Sequence, residues 1–419
     1  MSETRLKPIR VVVDARIPAR GWGGVQQVAI GLAAGLTAVA PPDLEVIYQC
    51  YPDGPEWLSP YAGSQDQFRF VPPPSQPAAK SWLSRNVPAL RRAYYAVMPP
   101  PPIPRSDGSL EALKPDIVHF PHQAAFLTRV ASVYHPHDLQ HLHLPEFFSR
   151  RDILTRERQY RAFCNQAALV AMASTWGRDD ILRAYHLPLE KVAVVALAPV
   201  VDRYPAPSEA ELQKVRADLR LPEQFCFYPA QTWPHKNHEM LLRAVAKLRR
   251  EDGIVVPLVF SGAATPERDA AVKRFAEELG LTGQVRWVGF VETGQVRALY
   301  RLARCVVVST LFESTSQPIF EALSSGVALA CSNVTAAPRQ VGDAALIFDP
   351  RSVDDVASAV KRLWTDAGLR AELIARGKAR IAQFTWEGTA RQFAAHYRRI
   401  AGRDLTADDQ ALLSAEPII

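Results

Sequence analysis

The sequence predicts an α/β protein made of two doubly wound, Rossmann-like domains that face a central cleft. Short apolar stretches alternate with helical patterns along the chain, which is typical of parallel sheets with right-handed crossover connections. The alternation ends near residue 199 and starts again near residue 225, and a chain of 419 residues is too long for one ordinary core. We therefore expect one domain over 1–199 and a second over 200–384.

The predicted strands are short apolar runs between turn residues, rich in Val, Ile, Phe and Ala. They are 9–16, 45–51, 115–123, 129–138, 168–174, 191–199, 225–231, 256–264, 285–291, 305–310, 327–333 and 344–350. Helical patterns lie between them, at 24–39, 150–167, from Thr175, 237–250 and 266–280. Ligands of doubly wound sheets bind beyond the carboxyl ends of the strands, so we expect the site in the loops that follow them.

Composition indicates a soluble globular protein, with 48% hydrophobic and 22% charged residues. The five cysteines are odd in number and scattered, which favours reduced core thiols in a cytosol over a disulfide framework. No apolar run approaches the ~20 residues of a membrane-spanning helix, and the first residues contain no apolar signal core. We expect a cytoplasmic protein.

The net charge of +6 and the isoelectric point near 9.1 favour acidic partners such as nucleotides or phospholipids. The segment 80–105 contains five basic residues, no acidic residue, and interleaved Trp, Tyr and Leu. Such a segment suits a helix on an anionic membrane surface, and it suits equally well an amphipathic helix that packs on its own domain. No nucleic-acid-binding motif is visible, so we expect no nucleic-acid partner.

Four of the ten histidines lie within nine residues, in the stretch HPHDLQHLHLPEFF at 135–148. Imidazole is a common zinc ligand, so a metal site is one hypothesis. It is weakened by Pro136 and Pro145, which disfavour a helix across the stretch, and by the absence of a nearby cysteine. The alternatives are packed loop histidines, or a role that only the rest of the chain can define.

The stretch LFESTSQPIFEALSSG at 311–326 follows a predicted strand and opens a helix at about Gln317, with Pro318 in its first turn. Backbone N–H groups at such a helix start form a phosphate site. Glu321, one turn into the helix, can accept hydrogen bonds from a ribose, and Glu313 can accept them from a sugar ring. Alternatively, Glu321 complements the helix dipole and Glu313 is a solvated loop residue.

Two further loops carry candidate ligand-binding residues. In YPAQTWPHKNHEMLL, at 228–242, Lys236 lies at a helix start where its ammonium can reach a diphosphate, or it is an ordinary exposed lysine. Asn237 is a candidate cap of that helix. In RIPARGWGGVQQVAIGL, at 16–32, glycines permit close approach of the backbone to a ligand, or they form a mobile loop. The glycines do not match G-x-G-x-x-G, so a nicotinamide cofactor is not favoured.

Together and in this order, the motifs resemble the family-four glycosyltransferases, a retaining group with the GT-B fold. The segments that carry the resemblance are GGVQQV, PDIVHFPH, HPHDLQHLHLPEFF, YPAQTWPHKNHEMLLRAV, VRWVGFV and the two glutamates separated by seven residues before ALSSGVALACS. The resemblance implies that the second domain binds a nucleotide-sugar donor, that the first binds the acceptor, and that helices at about 385–419 cross back onto the first domain. It also implies that no metal or other cofactor is needed, because cationic side chains and helix dipoles neutralise the leaving diphosphate.

The resemblance further implies roles for individual residues. Glu321 would hold the nucleotide ribose, Glu313 the hydroxyls of the donor sugar, and Lys236 the diphosphate. His137 would lie over the reaction centre with Asp138 beside it, which would explain the histidine cluster without a metal. The remaining donor-binding positions are Gly23, Gly24, Gln231, His235, Ser314, Thr315 and Ser316.

One position departs from the family pattern. The family usually has an arginine five residues before the diphosphate lysine, where this chain has Gln231. An uncharged amide cannot supply the charged donors of a guanidinium. Either His235 or another residue compensates, or the diphosphate is held less tightly.

The segment PAQTWPHKN resembles that of bacterial mannosyltransferases for O-antigen and exopolysaccharide. This resemblance implies transfer of mannose from GDP-mannose, with retention, to a polyprenyl- or glycan-linked acceptor. The enzyme would then work in the cytoplasm or at the inner face of the cytoplasmic membrane. Two alternatives stay open: a nucleotide-sugar epimerase of the same fold, and a catalytically degenerate binding partner of a transferase.

Overall fold

The computed structural model describes residues 7–17, 23–52, 55–64, 67–72, 99–262 and 265–419. Its internal contacts divide the chain into unit 1, which is Met1–Leu197 with Trp386–Ile418, and unit 2, which is Ala198–Thr385 with Ile419. Most of the basic segment predicted at 80–105 lies outside the described residues, as does Gly21 of the glycine-rich loop.

The described part of unit 1 contains a seven-stranded sheet in the order β3-β2-β1-β4-β5-β6-β7, with every neighbouring pair parallel. Its strands are β1 (Ile9–Asp14), β2 (Leu44–Cys50), β3 (Phe68–Phe70), β4 (Ile117–Phe120), β5 (Ala131–Tyr134), β6 (Leu169–Met172) and β7 (Val192–Val194). The core of β1 is buried on both faces, because the consecutive residues Val11, Val12 and Val13 are each at most 1% exposed.

The helices of the described part of unit 1 pack around this sheet. They are Gly23–Val39, Gln140–His143, Arg150–Gln166, Thr175–Tyr185, Trp386–Ile400 and Ala407–Ser414. Ser149 and Ser174 start two of them, since each side chain accepts a hydrogen bond from a backbone N–H three residues later.

Helix Trp386–Ile400 belongs to unit 1, although it follows unit 2 in the sequence. It packs on helix Gly23–Val39 at Gly31, where a Cβ atom would lie only 1.9 Å from Trp386 Cε2. Near its end, Arg398 forms ion pairs at 2.7 Å with Asp43 and with Asp409. A glycine contact and a pair of charged contacts therefore fix this helix.

The described part of unit 2 contains a six-stranded parallel sheet in the order β10-β9-β8-β11-β12-β13. Its strands are β8 (Cys226–Pro229), β9 (Leu258–Ser261), β10 (Val285–Gly289), β11 (Cys305–Val308), β12 (Leu329–Ser332) and β13 (Leu346–Phe348). Its helices are Glu209–Asp218, His238–Asp252, Pro266–Glu278, Thr293–Leu302, Gln317–Ser324, Ala337–Val341, Val353–Thr365 and Ala367–Ile381. Two parallel sheets with alternating helices confirm the predicted α/β class with two doubly wound sheets.

In each sheet the strand order changes direction, between β1 and β4 in unit 1 and between β8 and β11 in unit 2. Ligands of doubly wound sheets bind at such a switch point, beyond the carboxyl ends of the strands. In unit 2 the loops at this point are 230–237 and 309–316, both of which the sequence singled out.

Some details differ from the sequence-based expectations. The predicted strands are present and all but β2 are shorter than predicted. The strand β3 was not predicted, because a three-residue edge strand shows no periodicity. Helix Gln140–His143 forms a single turn between Pro136 and Pro145, so a short helix fits between the two prolines that disfavour a longer one. All five cysteines are buried and outside disulfides, as predicted. Within the described residues, no helix combines the length and apolar character needed to cross a bilayer.

Candidate functional site

Two loops of unit 2 are bonded together at the switch point between β8 and β11. The backbone N–H of Leu311 donates to the carbonyl of His235 at 2.7 Å. The Oγ of Ser309 donates to the carbonyl of Lys236 at 3.3 Å. The loop that carries Lys236 is thereby held against the loop that carries Glu313.

The ammonium of Lys236 forms an ion pair with Oε1 of Glu313. The two side chains are 20% and 15% exposed, so the pair is largely enclosed by protein yet open to a ligand. Thr335 fixes the backbone of Glu313, because its Oγ1 accepts from the Glu313 N–H at 3.3 Å and donates to the Glu313 carbonyl. The structure thus brings together two predicted site residues that come from different loops.

Glu321 lies in helix Gln317–Ser324 and is only 3% exposed. The hydroxyl of Tyr300 donates to its Oε2 at 2.7 Å. Burial and the neighbouring carboxylate raise the pKa of Tyr300 well above its usual range, so the phenol stays a hydrogen-bond donor. Tyr300 therefore sets the orientation of the carboxylate that the sequence assigned to a ribose.

The helix start after β11 is at Gln317 with a proline in its first turn, as predicted. Its backbone donors are partly engaged, because the Ser316 N–H donates to Gln340 Oε1 at 3.0 Å. Gln340 Nε2 in turn donates to the Ser316 carbonyl at 2.7 Å. The Ser316 N–H is therefore engaged within the protein, and we remove it from the backbone donors expected to face a phosphate.

The same helix start contains buried polar side chains without partners. Ser316 is 1% exposed and Gln317 is 9% exposed. Ser316 Oγ and both amide atoms of Gln317 have no hydrogen-bond partner within the part of the chain that the structure describes. Each such atom costs ~1–3 kcal/mol when it is left unsatisfied. Because orphaned buried groups are uncommon, we add Gln317 to the candidate site.

Gln231 follows β8, and its amide oxygen accepts a hydrogen bond from the indole Nε1 of Trp233 at 2.9 Å. With its oxygen held, the side chain presents its amide nitrogen, which carries two donors. Gly262 packs against this backbone: its φ is 97°, and a Cβ there would lie 2.9 Å from Gln231 N. The position that resembles the family arginine thus offers fixed but neutral donors.

His137 follows β5 in unit 1 and has a φ of 61°, in the left-handed region that side chains disfavour. Its Nε2 lies 3.0 Å from the carbonyl of Pro121, so Nε2 carries the proton and Nδ1 carries the lone pair. Burial lowers the pKa of His137 from its usual 6.5, which keeps the ring neutral at neutral pH. Asp138 Oδ1 accepts from the Gln140 N–H at 3.0 Å and so starts the helical turn that follows.

Two other histidines of the stretch bind carboxylates on neighbouring helices. His141 Nε2 lies 2.9 Å from Glu157, and His143 Nε2 lies 2.9 Å from Asp180. Among the described residues, no group of three or more His, Cys, Asp and Glu side chains is placed to hold a metal ion. These contacts explain His141 and His143 as anchors of the loop that carries His137.

Three of the seven described non-glycine residues with positive φ lie in or against the candidate loops. They are the candidate His137 (61°), Asn237 (56°), which follows Lys236, and Thr335 (50°), which contacts Glu313. Asn237 occupies the cap position of helix His238–Asp252, but its side chain does not cap it and donates instead to the carbonyl of Pro350 at 2.8 Å. Such strain persists only where the surroundings fix it, which is common at functional sites.

The two predicted glycines lie at the start of helix Gly23–Val39. A Cβ atom at Gly24 would meet no atom of the described residues within 4 Å, so packing within the described part of unit 1 does not require glycine there. Packing therefore does not explain the glycine at position 24. The predicted approach of Gly23 and Gly24 to a ligand stays a prediction.

Comparisons with known proteins match both halves of the chain. The family model described as Glycosyltransferase Family 4 matches residues 22–203, and the one described as Glycosyl transferases group 1 matches residues 210–380. The O-antigen chain mannosyltransferase B of Escherichia coli is 30% identical over 320 residues, which cover 75% of this chain and 81% of the relative. The serotype-specific mannosyltransferase WbdA of Escherichia coli is 32% identical over 184 residues, or 44% of this chain and 23% of the relative.

Solved structures share the fold over nearly the whole chain. HepE of Anabaena in complex with UDP-glucose gives a TM-score of 0.69 at 17% identity, covering 93% of this chain and 100% of its own. WaaG, a glycosyltransferase involved in lipopolysaccharide biosynthesis, gives a TM-score of 0.65 at 16% identity, covering 94% of this chain and 100% of its own.

Proposed function

Because this chain belongs to the family-four glycosyltransferases of the GT-B fold, we propose that it transfers a hexose with retention from a nucleotide sugar to a polyprenyl- or glycan-linked acceptor. The proposed sugar is mannose, the proposed donor is GDP-mannose, and the proposed process is synthesis of a bacterial surface polysaccharide. Relatives named for O-antigen and serotype-specific mannosyl transfer support this choice. The single observation that carries the proposal is the contact between Lys236 and Glu313 at the switch point of unit 2.

The donor binds unit 2 in this proposal. Its diphosphate takes the place of Glu313 as the partner of Lys236, so one charged contact replaces another. The released Glu313 carboxylate accepts hydrogen bonds from hydroxyls of the sugar. Glu321, oriented by Tyr300, accepts them from the ribose.

The diphosphate is the leaving group, so its growing charge is what the site must stabilise. Lys236 supplies a full positive charge. The start of helix Gln317–Ser324 supplies backbone N–H groups and the positive end of its dipole. Gln231 supplies amide donors held in place by Trp233. These groups neutralise the leaving group with the chain's own residues.

Retention is proposed to follow from attack on the same face that the leaving group occupies. A double displacement needs a carboxylate nucleophile at the anomeric carbon. Asp138 is the carboxylate next to His137, and it is engaged by the Gln140 N–H. In the proposed step the bond from the anomeric carbon to the phosphate oxygen breaks, the bond to the acceptor oxygen forms, and the acceptor proton passes to the departing phosphate. His137 accepts a hydrogen bond from a hydroxyl through Nδ1 and positions it.

A polyprenyl-linked acceptor lies in the cytoplasmic membrane, so we propose peripheral contact through the segment 80–105. Its five basic residues and lack of acidic ones support attraction to anionic lipid. Sedimentation with vesicles of anionic and of neutral lipid tests this contact. Binding to neither kind of vesicle would contradict it.

The donor is identified by a thermal-shift panel of GDP, UDP, ADP and dTDP and their sugars. We expect GDP and GDP-mannose to stabilise the protein, because anything that binds only the folded state raises its melting temperature. Radiolabelled GDP-mannose is then incubated with and without a lipid-linked acceptor. Label that moves to the lipid supports transfer. A changed nucleotide sugar without acceptor indicates an epimerase, and no reaction with any stabilising donor indicates a degenerate binding partner.

A further inference from the structure

A chain of three buried side chains connects helix Trp386–Ile400 to the histidine-rich loop of unit 1. Tyr397 Oη lies 2.5 Å from His119 Nδ1, and His119 Nε2 lies 2.7 Å from His135 Nε2. All three side chains are at most 4% exposed. Phe393, one turn before Tyr397, packs against both imidazoles with ring centroids 4.8 and 5.5 Å away.

The hydrogen-bond geometry determines which atoms carry the protons in this row of Tyr397, His119 and His135. Two imidazole nitrogens 2.7 Å apart share one proton and not two. If Tyr397 donates to His119 Nδ1, then His119 Nε2 carries a proton and donates it to His135 Nε2. The opposite direction would leave the buried hydroxyl hydrogen of Tyr397 without an acceptor among the described residues, which is costly.

Both imidazoles of this hydrogen-bonded row, His119 and His135, are neutral. Burial lowers the pKa of His119 to about 3, and burial together with the neighbouring imidazoles lowers that of His135 well below its usual value. A neutral His135 that accepts through Nε2 carries its proton on Nδ1. The two hydrogen bonds therefore run in one direction: Tyr397 donates to His119, and His119 donates to His135.

The same loop is bonded to the end of β4 at two further points. The His135 N–H donates to the carbonyl of Phe120 at 3.1 Å, and His137 Nε2 donates to that of Pro121 at 3.0 Å. The rings of His135 and His137 lie 5.7 Å apart on either side of Pro136. A left-handed backbone at His137 costs ~1–2 kcal/mol, so it needs neighbours that hold the chain in place.

We propose that Tyr397 is a positioning residue, which acts through His119 and His135 to hold His137 in the conformation that orients the acceptor hydroxyl. This inference rests on the proposed function, in which the neutral His137 accepts a hydrogen bond from that hydroxyl. Helix Trp386–Ile400, which packs on the glycine-started helix of unit 1, then contributes to the reaction as well as to stability.

The test uses the full chain and the variant Tyr397→Phe. This change keeps the ring that packs on Phe393 and removes only the hydroxyl. Tyr48→Phe is the matched control, because Tyr48 is 1% exposed in the same unit and no hydrogen bond of its hydroxyl is found in the described part of the chain. We expect kcat to fall about tenfold in Tyr397→Phe, with KM for the nucleotide sugar within about twofold of wild type. Tyr48→Phe retains wild-type kcat.

A second measurement separates positioning from a general loss of structure. Nitrogen-15 NMR of histidine-labelled protein reports which ring nitrogen of each imidazole carries the proton. We expect His119 protonated on Nε2 and His135 on Nδ1 in wild type, and a mixture of tautomers in Tyr397→Phe at an unchanged fold. His119→Phe, which keeps an aromatic ring and removes both hydrogen bonds, should reproduce the kinetic effect.

The outcomes distinguish the two proposals. Wild-type protein that transfers no hexose from any nucleotide sugar overturns the proposed function. Active wild-type protein with unchanged kcat in both Tyr397→Phe and His119→Phe overturns the positioning role alone. A fall in kcat that Tyr48→Phe shares to the same extent also overturns it, because the effect would then come from core packing.

Discussion

The ammonium of Lys236 lies against the carboxylate of Glu313, although 77 positions separate the two residues in the sequence. Each is mostly enclosed by protein, and a mostly enclosed charge without a partner is strongly disfavoured. The ion pair therefore balances the two charges within the protein. A nucleoside diphosphate would compete with Glu313 for Lys236 and would release the carboxylate to the sugar.

The role of Glu321 predicts discrimination between ribose and deoxyribose. Wild-type protein should bind GDP more tightly than 2′-deoxy-GDP, because Glu321 accepts a hydrogen bond from the 2′-hydroxyl. In Glu321→Ala the two ligands should bind equally, while Tyr300→Phe should retain a reduced preference, since only the orientation of the carboxylate is lost. Calorimetric titration with both nucleotides measures this. A preference that persists unchanged in Glu321→Ala would remove Glu321 from the ribose site.

The contact between Trp233 and Gln231 predicts how the missing arginine is replaced. Gln231→Arg should tighten nucleoside diphosphate binding by adding charge, and Gln231→Glu should weaken it by repulsion. Trp233→Phe should weaken binding a few-fold, because the amide loses the indole donor that orients it.

A double-mutant cycle checks this second step. In a Gln231→Ala background, Trp233→Phe should have no further effect on affinity, because the amide that it orients is gone. A full effect of Trp233→Phe in that background would show that the indole contacts the ligand itself.

Two glycines of the same helix predict opposite effects on stability and activity. Gly31→Ala places a Cβ within 1.9 Å of Trp386 and should lower the free energy of unfolding by about 3 kcal/mol. Gly24→Ala meets no atom of the described residues within 4 Å, so it should leave stability unchanged, and it should lower turnover because this glycine is proposed to approach the ligand. Denaturant unfolding and initial rates measure the two effects. Equal losses of stability in the two variants would contradict the packing described for this helix.

The buried histidines predict lower stability in acid. Unfolded imidazoles bind protons below about pH 6.5, whereas burial lowers the folded pKa of His119 and His396 to about 3 and that of His238 to about 4. The unfolded state therefore binds more protons as the pH falls from 6.5 to 4, and the free energy of unfolding falls by ~1.4 kcal/mol per pH unit for each such histidine.

Denaturant unfolding at pH 7.5, 6.5 and 5.5 measures this slope. His238 lies between the rings of Tyr228 and Phe260, at 5.0 and 5.1 Å, so His238→Phe preserves packing and removes one titrating group. The variant should show a shallower pH dependence than wild type. Stability that is equal at pH 7.5 and 5.5 in the wild type would show that these imidazoles are not buried.

The strands and the helix starts were accessible from the sequence because both are local patterns. The three consecutive valines at 11–13 predict a buried strand, and Pro318 with the residues before it predicts a helix start. Lys236 and Glu313 were predicted as site residues for the same reason, since each follows a strand at a predictable place. The resemblance to a family then supplied roles that no local pattern contains.

The residues that orient the site were not accessible in this way. Tyr300, Thr335 and Gln340 lie 21 to 24 positions from the residues they hold, and no short motif links them to Glu321, Glu313 or Ser316. The histidine stretch suggested a metal or a loop, whereas two of its members bind Glu157 and Asp180 on separate helices. Trp233 lies three positions before Lys236 in a loop that the sequence predicts to bind a ligand, but only the structure shows that its indole holds Gln231.

The central claim is that Lys236 holds the diphosphate of the donor, and calorimetric titration tests it most directly. The ligand is the nucleoside diphosphate that stabilises the wild type in the thermal-shift panel. Lys236→Ala should weaken its binding by about a hundredfold. Because Glu313 loses its partner, the variant should also lower the melting temperature of the free protein. Lys214→Ala, in which a 76% exposed lysine of the same unit is removed, should bind as the wild type does. Equal affinity in wild type and Lys236→Ala would contradict the account.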